Sequence, residues 1–124
     1  MWGITARGTR LGDGRRTGRT LQTGSMRIAV RGPVEHAVFD ISGELDFSSV
    51  DDVVDAVSQL PHHIVSIDLA GLDFVDGAGA QAIERIRHDR RVSHGELPAI
   101  IGASPSVERT LRFVRSREAQ LLIR

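Results

Sequence analysis

The side chains able to do chemistry in this 124-residue chain are few, and their spacing closes most routes. There are five histidines, His36, His62, His63, His88 and His94, and neither cysteine nor lysine. No two histidines stand four apart and no HExxH occurs, so no helical pair is placed to grip a metal ion. His62 and His63 are adjacent, which on an extended segment points their rings apart, and both read as solvated loop residues. The absence of cysteine removes thiolate ligands, disulfides and a thiol nucleophile together. The absence of lysine removes a Walker-type phosphate loop. No serine occupies a G-x-S-x-G elbow. Gly77-Ala78-Gly79 follows a strand and opens a helix, yet it lacks the third glycine and the later acid of a dinucleotide site. Asp73 and Asp76 could be imagined as an acid/base pair or a cation site. Capping of the following helix accounts for an aspartate at 76 without further chemistry, and Asp73 is then solvated. No nucleophile, base and orienting group converge. The residues point to a binding protein without cofactor or metal, not to an enzyme.

The elements that carry these residues can be read from periodicity. Ile28 and Val30 alternate with polar or small neighbours, as do Ala37, Phe39 and Ile41, giving two half-buried strands. Gly32-Pro33 lies between them, so they form an antiparallel hairpin. Gly43-Glu44-Leu45-Asp46 is the exit loop. Ser48 or Ser49 is placed to cap a helix, with Asp51, Asp52 and Asp55 near its positive end. Val50, Val53, Val54, Val57 and Leu60 form its apolar stripe, and Pro61 ends it. Ile64 to Leu69 is a β-branched run suited to a central strand. Ala70 to Val75 is a loop into a second helix running to about Val92, which buries Ala82, Ile83 and Ile86. Arg87, Arg90 and Arg91 suit the negative pole of that helix, and Gly95 closes it. Pro98 to Ile101 is a short strand. Ser104-Pro105 begins a third helix, with Val107, Leu111 and Val114 inward. Leu121-Leu122-Ile123 reads as a last strand.

The predicted order is β-β-α-β-α-β-α-β. Helices alternating with strands impose crossovers and a mostly parallel mixed sheet with the helices packed on it, an α/β domain. Residues 26–124 are this domain. Residues 1–25 hold six of the thirteen glycines and five arginines against one acid, a net charge of +4. Their large apolar residues are isolated, so the segment reads as a disordered tail. Met26 is an alternative start, just before the first regular element. The remainder carries a net −4, which disfavours direct nucleic-acid binding. No apolar run approaches the roughly 20 residues of a membrane helix, and a secretory signal is lacking. A cytoplasmic location is the expectation.

Two loops stand out together. Gly43-Glu44-Leu45-Asp46 follows the second strand, and Phe74-Val75-Asp76-Gly77-Ala78-Gly79 follows a strand ending in Asp68-Leu69. In this order and spacing, residues 26–124 resemble the STAS domain of the bacterial anti-sigma factor antagonists. The resemblance implies a protein that binds an anti-sigma factor, a serine kinase of the histidine-kinase-like ATPase fold, and so regulates sigma-factor-dependent transcription. It implies that Asp46, Ser48, Asp76, Gly77, Ala78 and Gly79 lie at the partner surface. It also implies a phosphoacceptor directly after Asp76, where this chain has Gly77, with no hydroxyl. The usual phosphorylation switch is thereby removed, and the glycine mimics the unmodified, binding-competent state. Other STAS roles, a small cytoplasmic subunit of an ABC-type lipid transport complex or a stressosome-like scaffold, are the alternatives.

Overall fold

The computed structural model describes residues 4–5 and 19–123. The strands are β1 (Ile4–Thr5), β2 (Arg19–Thr23), β3 (Met26–Arg31), β4 (Ala37–Leu45), β5 (Ile64–Asp68), β6 (Leu72–Val75) and β7 (Ala99–Ile101). The helices are α1 (Val50–Ser58), α2 (Gly77–His94) and α3 (Pro105–Ile123). The sheet runs β1-β2-β3-β4-β5-β7, and β6 also pairs with β4. β3 is antiparallel to β4, whereas β5 and β6 are parallel to β4 and β7 is parallel to β5. The five strands β3 to β7 are thus a mostly parallel mixed sheet, as the alternation of helices and strands predicts.

Alternation decides which face is covered. Met26, Ile28, Val30, Phe39 and Ile41 are buried, while Arg27, Ala29, Arg31, Val38, Asp40 and Ser42 between them are not. The helices therefore lie on one face, where Val53, Val57, Ile83, Ile86, Val107 and Leu111 close an almost wholly aliphatic core. On the open face the Arg31 guanidinium bonds Asp40 at 2.9 Å and Asp68 at 3.3 Å. Asp40 and Asp68 are tied through Arg31 across three adjacent strands.

Several expectations are corrected. Leu121, Leu122 and Ile123 do not form a strand; α3 runs through them. The preceding residues, Arg115 to Gln120, contain no glycine or proline, so the helix has nothing to stop it. Ala70 to Val75 is not all loop, since Leu72–Val75 pairs with Gly43–Leu45. By the same pairing, Gly43, Glu44 and Leu45 end β4, and only Asp46 leaves it. Gly43 is required there. Its φ is +90°, and a Cβ would collide with the Ser25 carbonyl on the neighbouring turn. Arg19–Thr23, assigned above to the tail, is a strand in register with β3, from Arg19 opposite Val30 to Thr23 opposite Met26. The two-residue Gly24-Ser25 turn, with Gly24 at φ 57°, joins them and suits a tight hairpin. The glycine-rich average of the first 25 residues hides this short glycine-free run. A chain starting at Met26 would lack β2. The rest of the reading of residues 1–18 as a disordered tail falls, apart from β1, outside the described residues.

The histidines also depart from expectation. His62 is buried at 1% exposure, and His63 stacks on His94 with ring centroids 5.0 Å apart. Neither belongs to a solvated loop, because α2 folds back over the start of β5. Arg90 shows the same return. It does not serve the end of its own helix. Its side chain, 5% exposed, donates to the carbonyls of Leu60 at 3.1 Å, His62 at 2.7 Å and Val57. It thereby completes the C-terminus of α1, whose last turn has no basic residue. Burial pushes the guanidinium below its ordinary value, but it stays charged because that value is so high. Replacing Arg90 with Met removes three hydrogen bonds from a charged donor at a buried site, and about 3 kcal/mol should be lost. An unchanged urea midpoint for Arg90→Met would refute this account of the α1 terminus.

Candidate functional site

The two loops singled out by sequence meet where β4 and β6 end side by side, Leu45 opposite Val75. Asp76 is the residue that joins them. Its Oδ1 accepts from the Gly79 amide at 2.7 Å, the N-cap of α2 predicted from sequence. Its Oδ2 accepts from the Phe47 amide at 3.1 Å, in the other loop. Its own amide donates to the Leu45 carbonyl at 3.3 Å. One carboxylate thus caps a helix and ties the β4–α1 loop to it.

The β4–α1 loop has its own closure. Asp46 accepts from the Ser48 hydroxyl at 2.6 Å and from the Ser48 amide at 3.0 Å. The hydroxyl bond chiefly, then the amide bond, hold the Asp46 carboxyl below its ordinary value. Asp46 is therefore ionised across neutral and mildly acidic pH, and what its ionisation contributes is lost only as the pH falls through that lowered value. Ser49 sits at the N-cap of α1, but its side chain does not cap. The hydroxyl instead donates to the Asp46 carbonyl at 3.2 Å, so the capping expected of Ser48 or Ser49 is not made. The two serines close the turn beneath the helix.

The three residues after Asp76 differ sharply in surroundings. Gly77 is exposed, and a Cβ built on it would meet nothing within 4 Å. Ala78 is half-buried. Gly79 is buried against β4 and β6: a Cβ there would lie 2.8 Å from Val75 Cγ2 and 3.0 Å from Leu45 Cγ, and would strike the Leu45 carbonyl. Asp46, Ser48, Asp76, Gly77, Ala78 and Gly79 lie on these two adjoining loops, and Gly79 lets α2 approach the sheet and does not face outward. Asp73 is exposed. The sequence reading missed Phe47, which is 78% exposed between Asp46 and Ser48. Its signal was present: a phenylalanine in a polar turn, with no strand or helix period to give it an inward side.

The hydroxyls and carboxylates here are spent on holding loops. Four histidines, His36, His62, His63 and His94, lie at or pack against the opposite end of the sheet, near the Ala37–Ile64 pairing, roughly 30 Å from Asp46 along β4. Among the described residues there is no group of three or more His, Cys, Asp or Glu able to hold a metal ion, and no helix long and apolar enough to cross a membrane. The arrangement is that of a fixed surface with an acidic character.

Asp76→Ala removes both a cap and the bridge between loops. About 2 kcal/mol of stability should go with them, and the Phe47 and Gly79 amides should exchange faster with deuterium. Exchange that speeds up at Gly79 alone would show that the bridge to Phe47 is not made in solution.

A family model for the STAS domain matches residues 27–118. The chain belongs to the STAS domain family. Its structure is similar to that of an anti-sigma factor antagonist STAS domain from Rhodobacter sphaeroides, at 16% identity and a TM-score of 0.51, covering 65% of this chain and 90% of that one. It is also similar to the anti-sigma factor antagonist SpoIIAA in its unphosphorylated form, at 19% identity and a TM-score of 0.54, covering 69% of this chain and 78% of that one. These likenesses establish the fold. A search of the curated proteins finds no match.

Proposed function

We propose that this protein is an anti-sigma factor antagonist that binds an anti-sigma factor, a serine kinase of the histidine-kinase-like ATPase fold, in the cytoplasm, and that it does so without a phosphorylation switch at the family position. It acts as a binding module, not as an enzyme. The observation that carries this reading is the surface around Asp76, where two loops are locked to each other while position 77 is open and bare of a hydroxyl. A partner meets a surface whose shape is set beforehand, so little ordering entropy opposes binding. Phosphate at this place would add about −1.5 to −2 charges beside Asp46 and Asp76. Its absence leaves the binding form permanently available.

The test is a pull-down with the full chain from its native cytoplasm, followed by mass spectrometry of the bound proteins and of the intact chain. Recovery of an anti-sigma kinase, with the chain unphosphorylated, is the expected result. Recovery of the kinase with a phosphate on the chain would remove the constitutive part of the proposal. Recovery of ATP-binding transport subunits would transfer the protein to lipid transport, and a large homo-oligomeric particle would make it a scaffold.

A further inference from the structure

The chain has four phenylalanines, and the core uses only one of them. Phe39 is fully buried, whereas Phe47 is 78% exposed and Phe74 is 50% exposed. A core built from aliphatic residues would gain from an aromatic side chain, so large rings left in water call for a role beyond folding. These two are close to one group. The Phe47 amide is bonded to the Asp76 carboxylate, and Phe74 stands two residues before Asp76, opposite Glu44 in the β4–β6 pairing.

Their neighbours along the chain are acidic. Glu44, Asp46, Asp73 and Asp76 surround the two rings in sequence, and no arginine or lysine occurs between Arg31 and Arg85. The backbone that presents Phe47 is fixed from both sides, by Asp76 on its amide and by the Asp46–Ser48 bonds beyond it. A ring with two torsions on a fixed backbone loses little freedom when bound. Aromatic anchors at the centre and charges at the rim are the pattern of a heterologous protein interface.

We propose that Phe47 and Phe74 are the two apolar anchors of the docking surface centred on Asp76, and that their receptor is an apolar cleft rimmed by arginine or lysine on a different protein. This rests on the partner-binding reading above and adds the chemistry of the partner. A second copy of this chain does not fit as the occupant, since the same acidic ring would face itself and like charges across an interface repel. The rings give depth of binding and the acids give orientation and speed of encounter.

The experiment places a photoreactive benzophenone amino acid at position 47, 74 or 92 of the full chain, in the native cell. Val92 is 87% exposed and lies fifteen residues along α2 from Gly77, roughly 22 Å away, so it reports chance contact. Positions 47 and 74 should crosslink to one and the same protein, through a peptide adjoining basic residues, and position 92 should not. With that protein purified, Phe47→Ala should weaken binding by about thirtyfold, and raising the salt should slow association. No crosslink from 47 and 74, equal crosslinking from 92, or full affinity in Phe47→Ala each overturn the anchors. If the captured protein is an anti-sigma factor, both proposals stand. If it is another protein with a basic-rimmed cleft and the Phe47→Ala loss holds, the docking surface stands and the anti-sigma reading falls.

Discussion

Gly77→Asp should fold as the parent does and fail to bind its partner. Position 77 is exposed and a Cβ there meets no atom within 4 Å, so the side chain enters open space. It also occupies the first turn of α2, where a carboxylate is favoured by the helix dipole. The melting temperature should therefore change by no more than about 4 °C. At the partner surface the same carboxylate becomes a third negative charge beside Asp46 and Asp76. Like charges brought into a desolvated interface cost several kcal/mol, and about 3 kcal/mol corresponds to roughly a hundredfold in Kd. Isothermal titration with the captured anti-sigma factor measures it. Gly77→Ala adds bulk without charge and should bind normally, which separates repulsion from steric exclusion. Gly77→Ser should accept a phosphate from the kinase and release it. Tight binding by Gly77→Asp would show that residue 77 lies outside the interface.

Two residues further on, the same class of substitution has the opposite effect. Gly79→Ala should leave little folded domain at elevated temperature. The added methyl would press 2.8 Å from Val75 Cγ2 and 3.0 Å from Leu45 Cγ, and against the Leu45 carbonyl. That carbonyl also receives the Asp76 amide. Neither strand end can retreat, because Leu45 and Val75 are buried and paired. The helix must instead shift outward, which loosens the Asp76 cap and its bond to Phe47. Overpacking of this kind costs about 3 kcal/mol, or roughly 12–20 °C in melting temperature for a domain of this size. Scanning calorimetry of Gly77→Ala beside Gly79→Ala is the measurement, and equal melting temperatures would refute the contrast.

That contrast shows what a linear reading can and cannot reach. Gly77 and Gly79 look alike in the sequence. One faces water and the other faces a backbone carbonyl more than thirty residues away in the chain, and no local pattern distinguishes them. Asp76 as the helix cap was legible, because capping joins residues three apart. Its second bond, to Phe47, joins residues 29 apart and was not. Arg90 was read toward the nearest helix end, its own, and in space it serves α1. His62 and His63 were read as solvated because adjacent rings on an extended segment point apart, and the return of α2 over β5 covers one and stacks the other.

By itself the sequence determined the alternation of strands and helices and the aliphatic core. It also determined the absence of thiol and lysine chemistry. Those depend on side-chain type and on contacts within a few residues, which periodicity and capping report directly. Only the tertiary structure decided that β6 completes the far half of β4, that β2 extends the sheet, and that α3 runs on where a strand was expected. It alone placed Phe47 in water beside Asp76 and assigned Gly79 to close packing. Each of these depends on which distant segment arrives to supply a hydrogen bond or to fill space, and that is settled by the fold as a whole.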